Sequence, residues 1–286
     1  MRWIAGFLVV VVLLFAVVTL LKRGPRDAPE DTETSQISTE DRERVQQFWE
    51  TYRQATDHRI AGRLGDAREA YTRALALNPG HQDALYYLGN MAFDLGNLPE
   101  AERAWRRLVE VDPSNARGHS QLGTLYSCVA APTFLNLESA AAEFARALEI
   151  NREETGPLLH LGEIALLRGD LELARSWFEK VTGSNYTSVE AHFYRGYLAW
   201  KAGALRRATE LLAAAVGFAR PAAPAEGVAG EGDTRAGRRP MVAEPAAGCR
   251  PMRVRVEDLR ALDDTDLPRG MDSVYRALDG LLAHVQ

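Results

Sequence analysis

The residues able to do chemistry are few, and their spacing argues against it. Six histidines, His58, His81, His119, His160, His192 and His284, are scattered along the 286-residue chain. A helical metal site needs two ligands one turn apart, as in His-x-x-x-His or His-Glu-x-x-His, and neither spacing occurs. Cys128 and Cys249 stand too far apart in sequence for a zinc knuckle, and the chain has no Cys-x-x-Cys-His haem-attachment motif. Unpaired thiols are the simpler expectation, since pairing the two requires an oxidising compartment and close approach of their backbones. There is no Gly-x-Ser-x-Gly elbow and no phosphate-binding loop, while Glu153-Glu154 and Asp263-Asp264 read as solvated surface charge. No catalytic, metal or cofactor site is therefore expected, and no small-molecule substrate. The net charge of -5 is spread over segments of mixed sign. No basic face is available to neutralise a phosphate backbone, so nucleic acid is not an expected partner.

What the residues do define is a set of repeated elements. Leu, Ala, Glu and Arg dominate, and Val and Ile are sparse beyond the first twenty residues, which favours helix over strand. Alanines recur at Ala67, Ala101, Ala140, Ala174 and Ala208. A large apolar residue follows each by four positions, one helical turn along the same face: Tyr71, Trp105, Phe144, Phe178 and Leu212. Both series step by 34, 39, 34 and 34. A third, Leu88-Gly89, Leu122-Gly123, Leu161-Gly162 and Arg195-Gly196, steps by 34, 39 and 34, with the same five-residue excess. Gly62, Gly96, Gly169 and Gly203 stand five before the alanines, where a first helix must end in the left-handed conformation that glycine adopts without strain. Pro79 and Pro113 stop the second helix, because proline cannot continue the hydrogen-bond ladder. Each unit is helix, turn, helix, turn, and none buries its apolar face without a neighbour.

These residues resemble the tetratricopeptide (TPR) family: a 34-residue period with Leu-Gly in the first helix, then Gly, Ala, an aromatic and Pro in order. The resemblance implies an all-α superhelical solenoid of about five helix-turn-helix repeats over residues 39–220, at roughly 48–81, 82–115, 116–154, 155–188 and 189–220. The end units are atypical, with Gln54-Ala55 in place of Leu-Gly in the first and Arg195 in place of leucine in the fifth. His119 and His192 hold places that packing residues normally fill. The third unit inserts five residues between its helices, in the stretch SCVAAPTFLNLES. This is either a tolerated surface loop or a contact element at Pro132, Thr133, Phe134 and Leu135.

In the family, the first helices line a concave surface along which peptide partners lie. Carried over residue by residue, that face bears Tyr52, Tyr86, Asn90, Phe93, Phe193, Tyr197 and Trp200. Tyr86, Asn90 and Phe93 share one helical stripe, and Phe193, Tyr197 and Trp200 another. Aromatics give large contact area at small entropic cost, which suits an apolar peptide or helix, although packing between units also accounts for them. Asn90 can hydrogen-bond a peptide backbone. The carboxylate clamp of some chaperone-binding TPR modules is absent, since its places carry Tyr52, Thr56, Tyr86 and Ser120.

Residues 3–21 are uncharged and almost wholly apolar, about 28 Å as a helix and so long enough to span a bilayer. No Ala-x-Ala cleavage site follows, so residues 1–23 are expected to be an uncleaved signal anchor, a single transmembrane helix. Charge counting favours a cytoplasmic body. The short positive leader, by analogy with other anchored proteins, favours an extracytoplasmic body at a bacterial inner membrane, the orientation adopted here. Residues 24–38 read as a flexible tether that ends in a capping-box-like Ser38 and Asp41. Residues 221–270 are an Ala/Gly/Pro-rich linker with a short strand pattern at Met252, Val254 and Val256. Residues 271–286 form an amphipathic helix that either caps the array or docks a partner.

Anchor and groove together suggest a membrane-anchored, non-enzymatic scaffold or adaptor that binds a protein partner. The alternatives are a biogenesis or regulatory subunit delivering substrate to a membrane enzyme complex, as anchored TPR proteins of cytochrome c maturation and envelope quality control do, or a self-assembling structural protein, for which a homo-oligomer is expected.

Overall fold

The computed structural model describes residues 38–220, Leu259, Leu262 and residues 267–285. Among them run eleven α-helices and no strand: α1 (Thr39–Ile60), α2 (Leu64–Leu77), α3 (Gln82–Asp94), α4 (Leu98–Val111), α5 (Ala116–Tyr126), α6 (Leu137–Ile150), α7 (Thr155–Leu167), α8 (Leu171–Ser184), α9 (Val189–Lys201), α10 (Leu205–Ala219) and α11 (Leu267–Val285). No described helix is long and apolar enough to cross a membrane. The expected anchor at 3–21, the tether, the strand pattern at 252–256 and Cys249 lie outside the described residues.

The chain divides into two compact units at Val45. In the first, Ser38 opens α1 as its sequence suggests: its Oγ accepts from the Asp41 backbone N–H at 3.0 Å and donates to the Asp41 carboxylate at 2.8 Å. Helix α1 therefore starts nine residues ahead of the repeat frame drawn at 48. The repeats occupy the second unit.

Successive helices pair as α3 with α4, α5 with α6, α7 with α8 and α9 with α10, and each hairpin packs on the next through its second helix. This is an all-helical TPR solenoid. Four of the five intra-repeat turns close in the same way. Gly62, Gly96, Gly169 and Gly203 hold φ between 73° and 78°, and the next residue's N–H reaches back to a carbonyl of the first helix, as in Asn97 N to Ala92 O at 2.8 Å and Asp170 N to Ala165 O at 2.9 Å. This is the six-to-one bond of a Schellman motif, and it satisfies carbonyls that the helix end leaves open. Asn97, Asn136 and Asp170 then cap the second helices with side-chain oxygens.

The glycine of each Leu-Gly pair has a visible cause. A Cβ built on Gly89 would stand under 3.0 Å from the Trp105 indole, one on Gly123 from Phe144 and one on Gly162 from Phe178. The aromatic of each second helix is thus seated over the glycine of its own first helix, and all three rings are fully buried. At about 25 cal/mol per Å² of apolar area removed from water, each such plug stabilises its unit by several kcal/mol before entropic costs. The fifth unit has Leu212 at this place, and the atom that meets a Cβ on Gly196 is the hydroxyl of Tyr275, from α11.

The third unit lacks the glycine turn. Its first helix ends at Ser127, and the ten-residue connection folds back through Phe134 N to Ala131 O at 2.8 Å and Asn136 N to Tyr126 O at 2.8 Å. Phe134 packs partly buried on the core formed by Trp105, Leu122 and Phe144. Cys128 is fully buried at this turn and disulfide-bonded, which corrects the expectation of an unpaired thiol there.

Candidate functional site

Of the first helices, α1, α3 and α9 carry the seven residues singled out in the sequence, and the structure divides these into three groups. At the amino-terminal end, Tyr52 stacks on Phe48, with centroids 5.9 Å apart, and meets the His81 ring at 5.0 Å. Trp49, 49% exposed, closes the cluster edge-on. Burial first, and then the neighbouring Tyr71, push the Tyr52 hydroxyl up to about 12, so it remains a neutral donor. His81 caps α3 by accepting the Ala84 N–H, and burial lowers its pKa below the usual imidazole value.

In the middle, Tyr86 lies under the Arg117 guanidinium, 4.6 Å from the ring centroid. Arg117 is held by Asp83 at 2.9 Å, and the Tyr86 hydroxyl accepts from Gln121 at 3.4 Å. Beside it, α3, α5 and α7 enclose a recess of about 450 Å³, into which Asn90, Phe93, Ser120, Leu159 and His160 project. Asn90 Oδ1 and Ser120 Oγ are buried without a hydrogen-bond partner. Leaving such a group unpaired costs about 1–3 kcal/mol, so the wall of the recess holds unused polar capacity on two adjacent helices. Asp94 also lines it, its carboxyl raised in pKa by burial. Asp94 and Glu154 supply carboxylates there, and among the described residues no Lys or Arg lines the recess.

At the carboxy-terminal end, Phe193, Tyr197 and Trp200 lie beneath α11. Tyr275 contacts all three rings, at centroid distances of 5.3, 6.0 and 6.0 Å. Trp200 Nε1 donates to Asp272 at 3.2 Å and the Tyr197 hydroxyl to Asp279 at 2.8 Å, while Lys201 pairs with Asp279. Tyr197 is 1% exposed as a result. In the third-unit connection, Pro132 is exposed, while Phe134 and Leu135 are half-buried.

One feature, Glu163, has no signal in the sequence. Glu163 is 4% exposed and accepts from the Tyr194 hydroxyl at 3.0 Å while pairing with His160 Nδ1 at 2.8 Å. It ties α7 to α9 beneath the face. Helix α11 covers α9, the first of the two roles that its apolar stripe left open, and Leu212 stands where the middle units place an aromatic. Among the described residues no cluster of three metal-ligating side chains occurs.

The comparisons agree with this geometry. The tetratricopeptide repeat profile matches residues 52–116 and 135–186, so the chain carries TPR repeats on either side of the insertion. Cellulose synthase operon protein C of Pseudomonas fluorescens (strain SBW25) is 25% identical over 171 residues, which is 58% of this chain but only 13% of that protein's length. Among solved structures, a MamA protein aligns with a TM-score of 0.53 at 20% identity, covering 61% of this chain and 92% of that one. PilW, described as a widely conserved type IV pilus biogenesis factor, aligns at 0.52 and 16% identity, covering 60% and 78%. At these identities the structures share the fold alone.

Proposed function

We propose that the protein is a non-catalytic scaffold that binds a segment of a protein partner in the recess between α3, α5 and α7. The observation that carries this is the pair of buried, unpartnered oxygens, Asn90 Oδ1 and Ser120 Oγ, on the wall of a half-apolar recess. Both residues are half-buried, so a turn of either side chain brings its oxygen to a peptide N–H, and apolar side chains fit over Phe93 and Leu159. The carboxylates of Asp94 and Glu154 favour a cationic residue in the same segment. Tyr86, held by Arg117, adjoins the recess through Gln121, which lines it and donates to the Tyr86 hydroxyl.

The same reading places the scaffold at a bacterial inner membrane, anchored by residues 3–21, with its body on the extracytoplasmic side. The apolar run supports the anchor, and the disulfide at Cys128 supports an oxidising compartment. Proteolysis of intact spheroplasts tests it: degradation of the array is expected, and full protection overturns the orientation.

The groove itself is tested by a photo-crosslinking residue at Tyr86 in the full chain in cells, with exposed Arg73 on α2 as control. One protein captured at Tyr86 and not at Arg73 is expected, and its identity separates an adaptor from a biogenesis subunit. The binding segment of that protein should then lose affinity roughly tenfold against Asn90→Leu, the equivalent of one hydrogen bond. Equal capture at both sites, or an unchanged affinity, overturns the proposal.

A further inference from the structure

The last helix meets the array in a way that differs from a repeat packing on its neighbour. Three of the Gly–aromatic sockets are filled from within their own unit, by Trp105, Phe144 and Phe178. The fourth, at Gly196, is filled by Tyr275, from a helix that begins 47 residues after Arg220. Helix α11 packs against α10 and α7 and lays one stripe, Met271, Tyr275, Leu278 and Leu282, into the core that holds Phe193, Tyr197 and Leu212. The stripe is flanked by polar contacts read out by α9: Trp200 Nε1 to Asp272, Tyr197 hydroxyl to Asp279, and Lys201 to Asp279. Asp272, Tyr275 and Asp279 are spaced i, i+3 and i+7, one face of a helix. The fit is imperfect, since the Tyr275 hydroxyl is buried in the socket without a partner, and both carboxylates sit at an exposed edge where ion pairs stabilise weakly.

We infer that the α9 face is a receptor for an amphipathic helix bearing the pattern acidic-x-x-Tyr-x-x-x-acidic, that α11 is its resident occupant, and that a partner helix of this pattern exchanges with it. Gly196 supplies the notch for the tyrosine hydroxyl, Trp200 and Tyr197 donate to the two carboxylates, and Lys201 matches the charge of the second. The chain between Arg220 and Leu267 keeps α11 at high effective concentration, so the resident holds the face against weak binders and yields to a helix that binds more tightly or at several points. This rests on reading the inner face as protein-binding, but it concerns α9 alone and uses a probe drawn from this chain.

The probe is a fluorescein-labelled peptide with the sequence of residues 267–285, titrated by anisotropy into the full-length protein. Wild type is expected to bind it at least tenfold more weakly than Tyr275→Ala, whose own helix no longer fills the notch. Adding Gly196→Ala to Tyr275→Ala places a methyl group in the notch and should return binding to the wild-type level or below, while the array keeps its circular dichroism and Tm. If Tyr275→Ala does not fold, Asp272→Asn with Asp279→Asn removes only edge contacts and should show the same gain. Equal weak binding by wild type and a folded resident-helix variant would make α11 a fixed cap and overturn the inference, as would tight binding that Gly196→Ala leaves unchanged. Because Tyr86 and Asn90 play no part in this readout, failure here and failure of the recess between α3 and α7 are separately visible.

Discussion

Each socket is a glycine that exists to make room for one ring, and that sets its mutational behaviour. Trp105→Ala empties a fully buried site and should cost about 3–5 kcal/mol, read as a lower urea midpoint. Gly162→Ala is a different insult, because the new methyl meets the Phe178 ring under 3.0 Å and the ring is locked between two helices. A loss of about 1–3 kcal/mol is expected from this overpacking, although alanine is intrinsically the better helix former. Equal stability of Gly162→Ala and wild type by urea unfolding would show that Phe178 relaxes freely. These pairs were legible in the sequence because both partners recur at fixed positions in the three middle units. The company of Asn90 and Ser120 was not, since it depends on how α3 and α5 are inclined across a repeat boundary, and no spacing within one helix records that.

At the scale of elements, α11 is the member that conditions should move first. The Asp279 carboxyl is held below its ordinary value of 3.8, chiefly by Lys201 and then by Tyr197, and Asp272 is lowered by Arg276 and then Trp200. A carboxyl whose folded pKa is depressed contributes stability that is present above the unfolded value and is lost as pH falls through the folded one. The docking of α11 should therefore weaken on acidification below 3.8, before the solenoid melts. Trp200 emission, obtained by difference against Trp200→Phe, should shift in that window while helical dichroism holds; simultaneous loss of both signals would mean that α11 and the array are one cooperative element. The helix itself was visible in the sequence from its apolar stripe, and the structure adds only its first turn, Leu267 to Gly270. Its destination was left between a cap on the array and a partner, because a stripe states that a helix needs a surface and not which one.

For the molecule as a whole, the array is a row of sockets interrupted once, at the ten-residue connection between α5 and α6. A solenoid of this kind is a sum of local units and nearest-neighbour contacts, so damage to one unit should spread only to its neighbours. Trp105→Ala is expected to expose amides of α3 to α6 in hydrogen exchange while α9 and α10 stay protected; uniform loss of protection would indicate a single cooperative body. The buried disulfide at Cys128 makes a separate statement about the whole chain. Alkylation of the unreduced, denatured protein should leave Cys128 unmodified, and labelling there would place the protein in a reducing environment. The helical repeat was readable from the sequence; the redox state was not, because spacing carries no information on which backbones approach.

Tyr275 reaches the socket at Gly196 from the far end of the chain, and this also orders events in time. During synthesis the ribosome releases all five repeats before it makes the helix that closes the last of them. At about 5–20 residues per second, a nascent chain passes several seconds with that notch vacant, and a helix of the right pattern waiting where the chain emerges from the membrane meets it unopposed. The resident helix thus acts as a clock as well as a plug, giving a newly made molecule its easiest encounter with another chain at birth.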